Sequence, residues 1–183
     1  TWKKYVEAKP VAQVCGQVAL IQLQKQRDFI CEQPNPSALF EESPWPEVLS
    51  QPQVVQVPYD RCMMGLKVVR GPLGPKRLGR TLYIKKPSTM TVSCAELGRP
   101  FTGKICQGKH EHMPGDGHSR ELSEAQVWTW KEANYVMDGV GEVRDRVARG
   151  YSLYEQYYHT HTTSFPSIST GPDVPPDQQP VEA

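Results

Sequence analysis

The sequence lacks a long apolar run and has almost no net charge. No stretch reaches the roughly 20 apolar residues that a membrane-spanning helix needs, and 21 lysines and arginines balance 20 acidic residues to give a net charge of +1. We therefore expect no transmembrane segment, a protein that is soluble or peripheral to a membrane, and no global attraction to nucleic acid or anionic lipid. Any contact with nucleic acid must come from a local basic patch.

The sequence also lacks the short motifs of several enzyme classes. It contains no G-x-S-x-G nucleophile elbow, no G-x-x-x-x-G-K-[ST] phosphate loop and no G-x-G-x-x-G dinucleotide fingerprint. An independent hydrolase or kinase is therefore not expected.

Disulfide-rich architecture is excluded by the cysteines. They number five, which is odd, and they include no C-x-x-C pair and no dense spacing of the kind found in small secreted scaffolds. We expect reduced thiols, which favours an intracellular reducing compartment without naming it. Because the chain begins at Thr1 rather than at methionine, we also expect a processed product or a part of a longer protein.

What is present predicts one domain of mixed helix and strand. Apolar residues at three- and four-residue steps predict a helix from Val6 to Gln26 whose buried face contains Val11, Val14, Cys15, Val18 and Ile21. Short strands are predicted at FIC, VVQVPYD and TMTVSC, with Pro58 ending the second strand or placing it at a sheet edge. A helical turn is predicted at PEVLS, a hairpin around RGPLGPKRLGR, and a turn or short helix at AELGRPF.

The last third of the sequence changes character. Glycines and histidines from Gly103 to Ser119 predict an irregular loop, and Ser123 is predicted to cap a helix that reaches Val140 and stops near Gly139. Residues 1–140 therefore make up the predicted α/β domain. Residues 141–183 are rich in tyrosine and then in proline, and they predict an extended tail that either binds a partner or is disordered.

One cluster has the residue types of a metal site. Cys106, His110 and His112 lie within one short segment, and Cys62 is available from the end of a strand. Zinc accepts two thiolates and two imidazoles in tetrahedral geometry. The spacing is not a strong zinc signature, so two interpretations stay open: a structural zinc site, or loop histidines beside a buried thiol.

Two further features of the sequence can be interpreted either as functional sites or as ordinary exposed residues. Glu32 follows a short buried strand and is either an active-site carboxylate or an exposed residue that opens a loop. The basic residues near the hairpin could contact phosphates or form a solvated hairpin tip. These candidates are Arg70, Lys76, Arg77, Arg80, Lys85 and Lys86.

The order of five blocks carries a resemblance to a known family. The blocks are RDFICEQPNPSALFEE, VVQVPYDRCMMGLKV, IKKPSTMTVSC, CQGKHEHMPGDG and LSEAQVWTWKEANYVMDGV, and the match covers about residues 15 to 140. This succession resembles a domain of copia-like retrotransposon polyproteins, chiefly from fungi and protists, which is distantly similar to the C-terminal half of cytosine-5 DNA methyltransferases. The resemblance implies an α/β fold, a partial Rossmann-like domain with an extended proline-rich C-terminal tail.

The resemblance also implies a vestigial site. The segment from Glu32 to Pro34 corresponds to the methyltransferase segment whose glutamate contacts the target cytosine, and Lys85 to Thr89 lies where basic residues support that site. The Pro-Pro-Cys nucleophile motif and the glycine-rich segment for S-adenosylmethionine are absent from the sequence. Because the thiolate must attack the ring before methyl transfer, we expect no enzyme activity from this chain.

The expected function is therefore a non-catalytic accessory or scaffold subunit of a larger complex. No cofactor is expected, unless the cysteine and histidine cluster binds a structural zinc. Residues 141–183 are expected to contact the other protein chains. The alternative is a nucleic-acid-binding fragment of a retrotransposon polyprotein. A third hypothesis is a methyltransferase that is completed by another chain.

Overall fold

The computed structural model, which describes residues 2–69, 81–113 and 127–150, combines helices with antiparallel strands. The described residues include three 3₁₀ helices, at Ala38–Glu41, Arg61–Met64 and Arg99–Phe101, which lie between the α-helices and strands. In chain order, those elements are α1 (Trp2–Gln24), β1 (Ile30–Pro34), α2 (Trp45–Leu49), β2 (Val55–Asp60), β3 (Lys67–Val69), β4 (Thr81–Tyr83), β5 (Pro87–Val92), α3 (Ala95–Gly98) and α4 (Trp130–Ala148).

The main sheet has three strands in the order β1-β5-β2, and both pairings are antiparallel. Met90 lies at its centre, opposite Glu32 on one side and Val57 on the other. Strands β3 and β4 form a separate antiparallel hairpin. The predicted strands and the hairpin are thus confirmed, and Pro58 lies in the edge strand β2, where a residue without a backbone N–H is tolerated.

The strand directions support only the general part of the predicted fold class. A Rossmann-like sheet is built from parallel strands joined by crossover helices. In the described residues, parallel pairing is limited to an isolated bridge between Tyr83 and His112. The structure is therefore a mixture of helix and antiparallel sheet.

Helix α1 packs with a different face from the one that its sequence predicts. The buried positions are Ala12, Gly16, Ala19 and Leu23. The prediction of a buried face is wrong for all five of its residues, which are exposed: Val11, Val14, Cys15, Val18 and Ile21. The reason is close packing, since a Cβ on Gly16 would lie 2.8 Å from Pro44 Cδ. Trp45 of α2 donates from Nε1 to the carbonyl of Ala12 at 2.9 Å. The contacting residues on the two helices are Ala19, Leu23, Trp45 and Val48.

Helix α4 begins later and ends later than predicted. Thr129 caps it in a capping box with Glu132, in which the Thr129 side chain accepts from the Glu132 N–H and the Glu132 carboxylate accepts from the Thr129 N–H. Gly139 does not end the helix, which continues to Ala148, and the glycine with positive φ that follows its C-terminus is Gly150. Ser123 lies outside the described residues.

Gly139 is instead a packing residue, and this gives a matched pair of variants. Gly139→Ala is expected to destabilise the protein by about 1–3 kcal/mol, because the new Cβ would lie 3.0 Å from Leu97 Cα and 3.1 Å from Leu97 O. Gly141→Ala is the control, since no heavy atom of the described residues lies within 4 Å of its Cβ position. It is expected to gain up to about 1 kcal/mol from helix propensity. Equal urea midpoints for the two variants would contradict the close contact between α3 and α4.

The end of the folded unit also differs from the predicted domain boundary. Helix α4 is continuous through residue 140, and the compact unit that contains all described residues spans Thr1–Tyr151. Of the predicted tail, residues 141–150 are described and continue α4 as far as Ala148, whereas residues 151–183 lie outside the described residues. Among the described helices, none combines the length and the apolar character needed to cross a bilayer.

Candidate metal centre

The first candidate ligand is positioned by the turn that follows β2. The 3₁₀ helix Arg61–Met64 ends at Gly65, which has a φ of +83° that favours glycine. The Gly65 N–H donates to the carbonyl of Cys62, and the Leu66 N–H donates to the carbonyl of Arg61. This turn leaves the Cys62 side chain buried, at 2% exposure.

The other three candidate ligands lie on a segment that is attached to the fold at both ends. At its start, the Asp60 N–H donates to Lys104 O at 2.9 Å, and the Cys106 N–H donates to Asp60 Oδ2 at 2.8 Å. At its end, the Tyr83 N–H donates to Glu111 O, and the Met113 N–H donates to Tyr83 O. The segment predicted as an irregular loop is therefore fixed between β2 and β4, as far as residue 113.

These attachments bring the four side chains predicted from the sequence into one cluster. One potential ligand atom from each of Cys62, Cys106, His110 and His112 lies within 4.8 Å of the others. Cys106 Sγ is 3.6 Å from His110 Nε2 and 3.4 Å from His112 Nε2. A tetrahedral zinc with Zn–S bonds of about 2.3 Å and Zn–N bonds of about 2.0 Å separates sulfur from nitrogen by roughly 3.5 Å. The donor set and its spacing therefore fit zinc.

The electrostatics of the cluster affect its two kinds of ligand differently. Burial, the neighbouring His110 and Lys85 lower the pKa of His112, which favours the neutral imidazole that metals bind. Burial and a hydrogen bond with Cys106 raise the pKa of the Cys62 thiol to about 12. A metal that binds here must displace thiol protons, so its affinity is expected to rise with pH.

Immediately before Cys62 in the sequence, Arg61 takes part in a buried ion pair that the sequence analysis did not identify. Arg61 Nε lies 2.5 Å from Glu132 Oε1, Arg61 Nη2 lies 2.7 Å from Glu132 Oε2, and both side chains are fully buried. Arg61 Nη2 also donates to the carbonyl of Val127, and the Tyr59 hydroxyl donates to Glu132 Oε1. The T-W-K-E pattern at Thr129 to Glu132 is a capping-box sequence, so it signals the local role of Glu132 at the start of α4 but not its partner Arg61.

Glu32 lies within a strand and not at the start of an exposed loop. It is partly buried in β1, and its Oε1 has no hydrogen-bond partner among the described residues. The pairing register places Glu32 on the same face of the sheet as Ser88 and Tyr59, and the Ser88 Oγ is likewise without a partner there. Burial is the largest cause of the raised pKa of Tyr59, followed by the carboxylate of Glu132 and then by that of Glu32. The interpretation of Glu32 as an exposed residue is therefore wrong.

The basic candidates are not brought together in the described residues. Lys85 is exposed, whereas Lys86 is partly buried, and burial followed by the nearby Arg61 lowers its pKa. Arg70, Lys76, Arg77 and Arg80 lie outside the described residues. Among the basic candidates that the structure describes, Lys85 is exposed and Lys86 is partly buried, so Lys85 alone is fully available at the surface.

Comparisons of this chain with protein-family models, with curated proteins and with solved structures find no match.

Proposed function

We propose that this chain is a zinc-stabilised, non-catalytic accessory or scaffold subunit of a larger assembly, derived from a domain of the retrotransposon-polyprotein type. The observation that carries the proposal is the Cys62, Cys106, His110 and His112 cluster, whose potential ligand atoms lie within 4.8 Å of one another. Four protein ligands complete the coordination of zinc, whereas catalytic zinc sites keep a position open for water or substrate. The closed ligand set therefore supports a structural role.

A structural role also fits the position of the cluster. Its ligands lie on two segments that contact β2 and the β3–β4 hairpin, and the rings of His110 and Tyr83 are 4.2 Å apart. The hairpin has a small core of its own, made of Leu66, Leu82, Ile84 and Met113. A zinc ion at this point would hold that core against the main sheet, and it would supply Lewis-acid ligation without taking part in a reaction.

The methyltransferase-like ancestry is the more distant part of the proposal. It rests on the motif order and on the position of Glu32 beside Tyr59, Arg61 and Lys86, which Glu32 influences electrostatically. Without a nucleophile motif in the sequence, this polar group has no thiolate to cooperate with. We propose that it stabilises the fold.

The zinc part of the proposal is tested by metal analysis of protein purified without chelators and without a metal-binding tag. We expect one zinc per folded chain by elemental analysis. A folded preparation with substoichiometric metal would contradict the zinc site. The non-catalytic part is tested separately by calorimetric titration with S-adenosylmethionine, for which no binding is expected, and measurable binding would contradict it.

Nucleic-acid binding is the second candidate, and one observation favours it. The Nζ atoms of Lys104 and Lys131 lie 5.5 and 5.7 Å from the ring centre of Tyr135, and the nearby Trp130 is 83% exposed. Surfaces that bind single strands combine cations with aromatic rings on which bases stack, and here the ring beside the two lysines is partly exposed. If this function holds, affinity for a single-stranded oligonucleotide must fall steeply with added salt. Binding that is undetectable or insensitive to salt would eliminate it.

A further inference from the structure

Helix α1 carries apolar side chains on two opposite faces. One face packs against α2 through small residues and Leu23, as described above. The opposite face, called here the valine stripe, is open to solvent in the described residues. It consists of Val11, Val14, Val18 and Ile21, which are 64%, 62%, 49% and 51% exposed.

After Lys9, the helix has none of the charges that normally solvate an outward face. From Pro10 to Gln24 the sequence contains no aspartate, glutamate, lysine or arginine. A surface helix of a globular protein usually places charged residues opposite its buried stripe, whereas a helix that is apolar on both sides is usually covered on both. The valine stripe is therefore better suited to a protein contact than to water.

The spacing of the valine stripe indicates what kind of element covers it. Its residues are separated by three, four and three positions, which is the a and d pattern of two successive heptads. Side chains at this spacing interlock with those of another helix that has the same repeat. The occupant is therefore a helix and not a strand or an extended peptide.

Because no charged residue flanks the valine stripe, a second copy of α1 can pack against it without charge repulsion. Charged residues at the positions flanking a heptad seam select an oppositely charged partner and reject a copy of the same chain. Here those positions hold Cys15, Gln17, Gln22 and Gln24, which do not repel an identical helix. Glutamine amides can also donate to and accept from each other across such a pair.

We propose that α1 of one chain packs against α1 of a second copy through the valine stripe. The inference extends the scaffold proposal by naming its partner, and it does not depend on the metal site. The stripe covers about 15 Å of helix axis, so its area is at the small end of specific interfaces. We therefore expect reversible dimers with a dissociation constant of roughly 10–100 μM.

The exposed apolar residues of α4 supply a matched control. Met137 is 65% exposed, close to the 62% of Val14, but charged residues Asp138 and Arg144 are exposed on the same helix. Val14→Lys and Met137→Lys therefore place the same charge at equally exposed positions of two helices. Because neither side chain is buried, both variants are expected to keep the fold.

The experiment is sedimentation of the full chain and both variants from about 1 μM to about 1 mM. Wild type and Met137→Lys are expected to shift from monomer to dimer together, whereas Val14→Lys is expected to dissociate at least about 10-fold more readily. A wild-type chain that stays monomeric at all concentrations would overturn the proposal. That result would mean that another segment of the chain or another protein covers the valine stripe. Equal weakening by both variants, or none by Val14→Lys, would also overturn it. Zinc content is measured on the same samples, so failure of the metal site is recorded separately.

Discussion

Glu132→Ala is expected to lower the free energy of unfolding by about 3–5 kcal/mol. The substitution leaves the Arg61 guanidinium buried without its carboxylate, because both side chains of this pair have no exposed surface. It also removes the acceptor for the Tyr59 hydroxyl and for the Thr129 N–H at the start of α4. The measurement is urea denaturation followed by far-UV circular dichroism.

Glu142→Ala is the matched control for this prediction. Glu142 is on the same helix and pairs with Arg99, but both partners are substantially exposed, so the expected loss is below about 1 kcal/mol. The double variant Arg61→Met with Glu132→Leu removes both charges together, and it is expected to recover part of the stability lost by Glu132→Ala. Equal losses for Glu132→Ala and Glu142→Ala would show that the buried charge is not the cause.

Cys106→Ser is expected to abolish stoichiometric zinc binding and to lower stability in the presence of zinc by at least about 3 kcal/mol. The basis is that ligation of structural zinc contributes about 10–16 kcal/mol in zinc-finger peptides, where binding and folding are coupled. Cys106 Sγ is within 3.6 Å of both histidine ligands, so its loss affects the whole cluster. Hydrogen exchange is expected to lose protection first in the β3–β4 hairpin, which the cluster contacts.

Cys94→Ser supplies the control for the loss of a thiol. Cys94 is buried and outside the cluster, and it occupies the N-cap position of α3, where serine is favoured. This variant is expected to keep one zinc per chain and to unfold near the wild-type midpoint. If chelation or Cys106→Ser leaves the thermal midpoint unchanged while Cys94→Ser lowers it, the cluster has no structural metal.

Local features of the sequence were sufficient to predict the strands, the hairpin and the short helices. The alternation of apolar and polar residues in VVQVPYD acts within a few residues, so it predicts a strand without reference to the rest of the chain. Cys106, His110 and His112 are likewise close together because they are close in sequence. Cys62 is different, since it reaches them through the hydrogen bonds that Asp60, at the end of β2, makes with Lys104 and Cys106.

Periodicity could not choose between the two apolar faces of α1. Both have helical spacing, and the valine stripe is the more hydrophobic, yet the face with Ala12, Gly16 and Ala19 is buried because small side chains allow α2 to approach closely. The prediction that α4 ends near Gly139 was wrong for a similar reason. Gly139 has the appearance of a helix stop, but its missing side chain makes room for Leu97.

The sequence by itself determined the mixed composition of helix and strand, the exclusion of Pro58 from the interior of a central strand and the identity of the four potential metal ligands. Only the tertiary structure showed which face of α1 is covered, that Gly139 is a close packing position and that Arg61 pairs with Glu132. The physical reason is range: backbone preferences and turn chemistry act between neighbours, whereas close packing and charge pairing depend on residues up to 71 positions apart.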